Sequence, residues 1–385
     1  MLNRAAHHTG SFWDRLSDGL EIQALWSQFF SEARASYGLY TREIDWEALN
    51  KERGARRFFR VAKLLFWAMI MKLSPARRVF LLLALFFALL AVTDYRAGVS
   101  ISPGHVEVSA PNNLLAVLLA VGALVFLLAL ELADRVTMKR DLEIAREIQH
   151  WLVPQTPPRV PGVDIAFSSR PANTVGGDYY DAFLLDGAAP ANPAERLLLV
   201  VADVAGKSVP AALLMATFQA SLRTVANGAT SLADIVARMN EYACAHSLGG
   251  RRFTTAFFAD FNPATRALTY IRAGHNVPIL RRASGELERL EEGGLPLGIN
   301  PGTSFPSAST TLAPGDLLVI YTDGVIEAVN ERDQEFGEAR LLELFRATPP
   351  ESAAATLGRF TSAVEAFAGT ARQHDDITWL VFRME

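Results

Sequence analysis

Apolar and polar positions divide the chain into three regimes. Val79 to Val92 (VFLLLALFFALLAV) and Leu114 to Leu130 are runs without a charged residue. From Glu131 the pattern becomes DRVTMKRDLEIAREIQHWLVP. There Met138, Leu142, Ala145, Gln149 and Leu152 recur at alternating four- and three-residue steps. That spacing suits a coiled-coil seam with one polar layer at Gln149, and equally a plain amphipathic helix. Pro154, Pro157, Pro158 and Pro161 then enforce an extended connector. Beyond it, short aliphatic and aromatic runs alternate with turn signals such as Asn262-Pro263 and Ser284-Gly285. Runs at 163–169, 197–202, 253–261, 268–273, 277–281, 317–321 and 377–382 predict strands. Patterns at 211–226, 232–247, 338–346 and 352–367 predict helices. Strands that follow one another without regular helical crossovers favour an α+β domain with antiparallel sheets.

The two uncharged runs read as a helical hairpin through a bilayer, with a soluble helical core as the alternative. The first has fourteen apolar residues, covering roughly 21 Å of a hydrocarbon core about 30 Å thick. Arg77 and Arg78 can snorkel at one end and Tyr95 can sit at the other interface. Between the runs Arg96 is the only base. Arg56, Arg57, Arg60, Lys63, Lys72, Arg77 and Arg78 precede the first run, and Arg135, Lys139 and Arg140 follow the second. Positive charge on both outer flanks places both termini in the cytoplasm, and hence the chain in the inner membrane as a multi-pass protein. Arg56 to Lys72 mixes bases with large apolar residues, as an interfacial helix does, though a packed cytosolic helix reads the same way. The start of the chain lacks the charged end and apolar run of a cleavable signal peptide.

Charge sharpens this division. Residues 1–140 carry a net +5 and residues 141–385 a net −9. The acidic back half has no basic stripe to suggest nucleic acid. The single cysteine, Cys244, rules out an internal disulfide framework, and the seven scattered histidines give no zinc motif.

Four acidic positions stand out because each lies where a turn signal meets an apolar or aromatic run. Asp203 ends the aliphatic run of LLLVVADVAGKSVPAALLM, before a turn at Gly206-Lys207 and a helix start near Pro210. Asp178 lies in VGGDYYD, Asp323 in VIYTDGV and the doublet Asp375-Asp376 in HDDITWLVF. Singly, each also fits a turn or cap residue. Together, carboxylates on separate elements that can converge suit a pair of hard divalent cations, for which Mn²⁺ or Mg²⁺ is the expectation.

The ordered set VGGDYYD, ADVAGKSVPAALLMA, FTTAFFADF, RAGHNVPIL, GLPLGI, YTDGVIEA and DDIT closely resembles the metal-dependent serine/threonine protein phosphatases (protein phosphatase 2C-like). The match is to their bacterial SpoIIE-like branch and covers about Asp141 to Phe382. The resemblance implies an antiparallel β-sandwich flanked by helices, with two Mn²⁺ or Mg²⁺ ions at one edge. It implies that Asp203 bridges both ions, assisted by the Val204 carbonyl. Asp323 and Asp375 would bind one ion and Asp178 the other, directly or through water; Asp376 is the alternative to Asp375. Three positions depart from or fall short of the pattern. Ala205 stands where better-known members have a histidine suggested as a general acid. No equivalent of their phosphate-holding arginine is evident, with Lys207 a candidate phosphate contact or simply an exposed turn lysine. Ser208 stands where this branch commonly has glycine, a change that serine is expected to tolerate. His275 in AGHNVP is expected to be structural more than catalytic, and His374 is treated with the same caution.

These readings give four regions: a helical cytoplasmic or interfacial region (1–73), a transmembrane hairpin (74–133, spans about 77–95 and 112–132), a linker helix and Pro-rich connector (134–160), and a metal-dependent phosphatase domain (161–385). The expected function is a membrane-anchored phosphatase acting on phosphoserine or phosphothreonine of a partner protein. By analogy with the branch, that partner is an anti-sigma factor antagonist. The linker helix would carry a signal to the Gly176-Gly177 loop and could mediate a homodimer. The rival expectation is a catalytically weak, phosphatase-like binding module that sequesters a regulator. A receptor for an external ligand is a third reading, weakened by a connecting loop too short for an ordinary sensor domain.

Overall fold

A computed structural model describes residues 73–93, 99–102, 105–108, 114–185, 196–246 and 252–385. The expectations for residues 1–72, including the Arg56–Lys72 helix, lie outside them. The chain divides into two compact units, residues 1–136 and 137–385.

In the first unit, α1 (Pro75–Thr93) and the start of α2 (Leu114–Leu152) flank an antiparallel hairpin of β1 (Val99–Ser102) and β2 (His105–Val108). Both helices are long and apolar enough to cross a membrane. Ala84 and Ala120 are buried, whereas Leu82, Phe86, Leu89, Leu118, Val125 and Leu128 stay exposed. Arg77 donates to the Leu130 carbonyl and pairs with Glu131 and Asp134. This ion-pair cluster joins the two helices at the end where both outer flanks carry their charge.

In the second unit α2 continues unbroken to Leu152 and the connector leads into two stacked sheets. The first sheet runs β4 (Asp178–Leu185), β5 (Arg196–Val204), β6 (Thr254–Asn262), β7 (Ala267–Ala273), with β10 (Gly293–Gly294) and β11 (Ala308–Thr311) both on β7. The second runs β3 (Val163–Arg170), β13 (Ile377–Met384), β12 (Leu317–Tyr321), β8 (Ile279–Arg281), β9 (Leu287–Arg289). All pairings are antiparallel except β10 with β7.

The alternation along each strand builds three layers of core. Leu197, Leu199, Val201, Phe257 and Phe261 meet Leu318, Ile320, Leu380 and Phe382 between the sheets. On the outer face of the first sheet, Leu198, Val200 and Ala202 pack under α3 (Ser208–Ala226) and α4 (Leu232–Ala245). On the outer face of the second, Val319, Tyr321, Trp379 and Val381 pack under α6 (Gly337–Ala347) and α7 (Ala353–Ala368). The antiparallel sandwich flanked by helices is therefore as expected. By length and composition α3 could also cross a membrane, but it buries Ala211, Met215, Phe218 and Leu222 in this core.

Two elements differ from the pattern reading. The strand Asp178–Leu185 was not predicted, because aspartates at 178 and 181 are poor strand residues. Asp181 is fully buried there, accepting both arms of Arg223 at 2.8 Å and a hydroxyl from Tyr179. A four-residue helix, α5 (Asp323–Ile326), follows β12 where only a turn was expected.

Candidate metal centre

Register brings the first two acids together. Asp178 opens β4 and pairs directly with Asp203 near the end of β5. Paired residues share a face, so both sit on the side of Tyr180 and Val201, the side turned to the second sheet. On that sheet β12 and β13 are neighbours, with Tyr321 opposite Trp379. Asp323 just after β12 and Asp375-Asp376 just before β13 therefore reach the same edge of the sandwich. Thr322 ties the two sheets: its hydroxyl donates to Asp178 Oδ2 at 2.8 Å and accepts the Thr378 amide at 3.0 Å.

The loop before Asp178 completes the edge. Gly176 has no room for a side chain, since a Cβ there would collide with the Asp376 carboxylate. Asp376 Oδ1 accepts the Ala172 amide at 2.7 Å and Oδ2 the Gly177 amide at 2.6 Å. Gly177 faces the Val204 carbonyl, which would lie 2.9 Å from a Cβ at that position. From the linker helix, Gln149 donates to the Gly176 carbonyl at 2.7 Å and accepts its amide at 3.1 Å.

Electrostatics mark the cluster. Burial pushes the Asp203 carboxyl up to about 7, reinforced by Asp323, Asp375 and Asp376 and eased by Lys207. Burial, then Asp203 and Asp376, hold Asp178 well above the usual carboxylate range, against the pull of Thr378 and Thr322. Asp323 is raised by burial and by Asp375, and Asp376 by burial against the amides of Ala172 and Gly177. Lys207 is the cation among them, 2.8 Å from Asp375 Oδ2 and 2.7 Å from the His374 carbonyl.

Oxygen donors alone, mostly anionic and crowded beyond what one lysine offsets, fit hard divalent cations. The residues that would hold them are Asp178, Asp203, Asp323, Asp375 and the Val204 carbonyl. Among the described residues, no three His, Cys, Asp or Glu side chains are placed to hold an ion as they stand. The physical reason is visible in their partners: Thr322 occupies Asp178, backbone amides occupy both oxygens of Asp376, and Lys207 occupies Asp375. Asp376, with both oxygens on the Gly177 loop, is arranged to hold that loop, whereas Asp375 keeps an oxygen for which only a lysine competes.

Three further residues belong to the site. Gln149, expected as a coiled-coil polar layer, makes its hydrogen bonds to Gly176 within its own chain. Lone amides in apolar seams are the signal that points to such a partner. Arg252 donates to the Ala205 carbonyl at 3.0 Å and crosses Gly206, whose φ of 125° and missing side chain leave it the space. Among the described residues Arg252 has no carboxylate partner, and its one printed hydrogen bond is to the backbone beside Asp203 and Val204; the sequence offered only a base ahead of FTTAFF. Ser208, expected to be a mild departure, has φ 61°, a left-handed conformation that favours glycine.

A family model described as stage II sporulation protein E (SpoIIE) matches residues 193–385. Protein IcfG of Synechocystis is 31% identical over 248 residues, 57% of this chain and 38% of that protein. Phosphoserine phosphatase RsbU of Bacillus subtilis is 29% identical over 195 residues, 50% of this chain and 56% of that protein. The chain thus spans about half or less of the length of these relatives. Among solved structures, the SiaA-PP2C domain of Pseudomonas aeruginosa superposes with a TM-score of 0.57 at 22% identity, over 66% of this chain and 99% of that one. The RsbU and RsbW domains of a Mycobacterium tuberculosis protein give 0.50 at 28% identity, over 60% and 62%.

Proposed function

Because the chain belongs to the SpoIIE family, we propose that it is a metal-dependent protein serine/threonine phosphatase anchored in a membrane by α1 and α2. The observation that carries this reading is the buried excess of carboxylates that two sheets bring to one edge, with Asp203 pushed up to about 7 by burial and its acidic neighbours. Relatives named phosphoserine phosphatase, RsbU and RsbP, support the substrate class.

Asp178, Asp203, Asp323, Asp375 and the Val204 carbonyl would hold two Mn²⁺ or Mg²⁺ ions, which would supply Lewis acidity and lower the pKa of a water. The chain's own groups do the rest. Asp376 and Gln149 fix the Gly176-Gly177 loop against the Val204 carbonyl. Arg252 has a planar fork of donors for the phosphoryl oxygens, and Lys207 can exchange Asp375 for the phosphate. Ester cleavage by direct attack of water needs no nucleophilic side chain. The substrate is a phosphorylated regulatory protein, of which an anti-sigma factor antagonist is the specific instance. Both chain termini and the phosphatase domain lie in the cytoplasm, and the linker helix reports to the site through Gln149.

Phosphate release from a phosphoserine peptide, with and without Mn²⁺, tests this reading in the full chain and in Asp203→Asn. Release that requires Mn²⁺ and disappears in the variant is expected. A well-folded chain that binds the phosphopeptide without hydrolysing it under any divalent cation would establish the sequestering module instead.

A further inference from the structure

Apolar side chains left in water are informative when they cluster. Among the described residues from Pro154 onward, five large ones are exposed, at 38% to 64%: Val209, Leu213, Phe253, Leu295 and Ile299. All five gather around Arg252. Phe253 follows it in the chain, and the Phe253 carbonyl accepts the Ala205 amide at 2.9 Å. Gly206, whose missing side chain leaves the Arg252 guanidinium its place, comes three residues before Val209. A Cβ on Gly298 would lie 3.2 Å from the Arg252 carbonyl; Ile299 follows Gly298, and Leu295 comes three residues before it. Three residues reach about 10 Å at most. Leu213 lies one helical turn beyond Val209 on α3, on the same face.

The backbone beneath these side chains is fixed, so their exposure is built in. Leu297, between Leu295 and Ile299, is fully buried and exchanges two hydrogen bonds with Thr254, at 3.0 and 2.9 Å. Asn240 accepts the Gly298 amide at 3.1 Å and donates to the Asn300 carbonyl at 2.9 Å. On α3, Ala211 and Met215 enter the core while Val209 and Leu213 face outward, where a surface helix ordinarily carries polar residues. The patch adjoins the guanidinium assigned above to the phosphate. A second copy seated on it would cover that guanidinium and close the acid edge. A bilayer with anionic headgroups would meet the carboxylates of the same edge. A protein that carries its own phosphate into the edge covers the patch and reaches the site together.

We propose that Val209, Leu213, Phe253, Leu295 and Ile299 form the substrate-docking surface, and that its partner is a phosphoprotein with apolar side chains within a few residues of the phosphoserine. The inference rests on the phosphatase reading. The phosphate goes to Arg252 and the acid edge, while flanking leucine, isoleucine or phenylalanine side chains settle on the patch and exclude water around the phosphate. Contacts this far from phosphorus are made alike with bound substrate and with the transition state, so they set KM and leave kcat unchanged. A small phosphate ester gains nothing from them.

The test uses the full chain in detergent with Mn²⁺ and three substrates: p-nitrophenyl phosphate, a phosphoserine peptide flanked by leucine and isoleucine, and the same peptide flanked by serine and asparagine. Wild type is compared with Leu213→Gln, Leu295→Gln and the double variant, the single variants carrying the test if the double one does not fold. The expected wild-type KM is about tenfold lower for the apolar peptide, at equal kcat. In the double variant that preference shrinks to about twofold or less, while p-nitrophenyl phosphate turnover and melting temperature stay at wild-type values. Equal KM for the two peptides in the wild type, or a preference that survives in the double variant, overturns the docking surface and leaves the phosphatase reading standing. A wild-type chain inert toward all three substrates removes both. A lost preference that tracks a fall in melting temperature or in p-nitrophenyl phosphate turnover also overturns the proposal, since it makes the patch structural. With the preference intact, a double variant of half the wild-type mass by light scattering assigns the patch to a second copy instead. A p-nitrophenyl phosphate activity that changes in phosphatidylglycerol liposomes for the wild type alone, with the preference again intact, assigns it to the bilayer.

Discussion

Gln149 on α2 closes a two-way hydrogen-bonded pair with Gly176, its amide nitrogen on the carbonyl at 2.7 Å and its amide oxygen on the backbone N–H at 3.1 Å. A side chain thereby imitates one rung of a β-ladder. Glycine at 176 and 177 costs the loop conformational entropy on ordering, and the rung offsets part of that cost. Gln149→Ala is expected to raise the Mn²⁺ concentration for half-maximal phosphatase activity by about thirtyfold, each of the two lost bonds counting about 1 kcal/mol. Gln149→Glu keeps the acceptor and loses the donor, and so should fall between. Mn²⁺ titrations of the two variants check the order; equal titration curves for all three proteins would detach the helix from the site.

Asp203 makes stability depend on pH with a sign that can be stated. Its folded carboxyl, near 7, binds a proton more tightly than an unfolded aspartate near 4. The protonated group therefore favours the folded state at low pH, and that contribution is lost as pH rises from about 4 through about 7. Without divalent cation, the melting temperature of the full chain should fall over this window. Asp203→Asn should flatten the fall and abolish hydrolysis together. Differential scanning calorimetry in a chelating buffer series separates the outcomes, and a wild-type melting temperature that climbs over the same window contradicts the assignment.

Arg252 tests how the phosphate is held. Its guanidinium is anchored through one donor on the Ala205 carbonyl, so the others are free to bracket phosphoryl oxygens. Arg252→Ala should raise KM for a phosphoserine peptide about tenfold or more, and inorganic phosphate should become a correspondingly weaker inhibitor. Arg252→Lys keeps the charge without the fork and should recover only part of the loss. Unchanged phosphate inhibition in the alanine variant would return the role to Lys207.

Ser208 opens α3 at φ 61°. Replacing it by glycine removes a left-handed strain of about 1 kcal/mol, against a small entropic loss. Ser208→Gly is expected to raise the melting temperature by a degree or more with kcat unchanged. A lower melting temperature would show that the serine side chain contributes something the backbone angle does not reveal.

Much of this was legible in the residues. Aliphatic runs marked the strands that are buried on both faces, such as Leu197–Val201 and Leu317–Tyr321, and the acids at their ends marked the edge. What escaped has a common cause, for it depended on partners far away in sequence. Asp181 hid a strand because a buried aspartate is tolerable only with Arg223, 42 residues on. Gln149 read as a helix-seam residue because Gly176 is a neighbour only in the folded chain. Asp375 and Asp376, adjacent and alike, diverge because Asp376 spends both oxygens on the amides of Ala172 and Gly177, whereas one oxygen of Asp375 meets Lys207. No local pattern separates two consecutive aspartates.

Thr322 gives the site a dependence that reaches beyond catalysis. One hydroxyl joins Asp178 on the first sheet to Thr378 on the second, so the cleft exists only while the sandwich is closed. A cation that binds there has no counterpart site in an opened chain, and its free concentration adds directly to the work of opening. Scarcity of the divalent cation would accordingly shorten the lifetime of the protein in the presence of cellular proteases, and not only idle it.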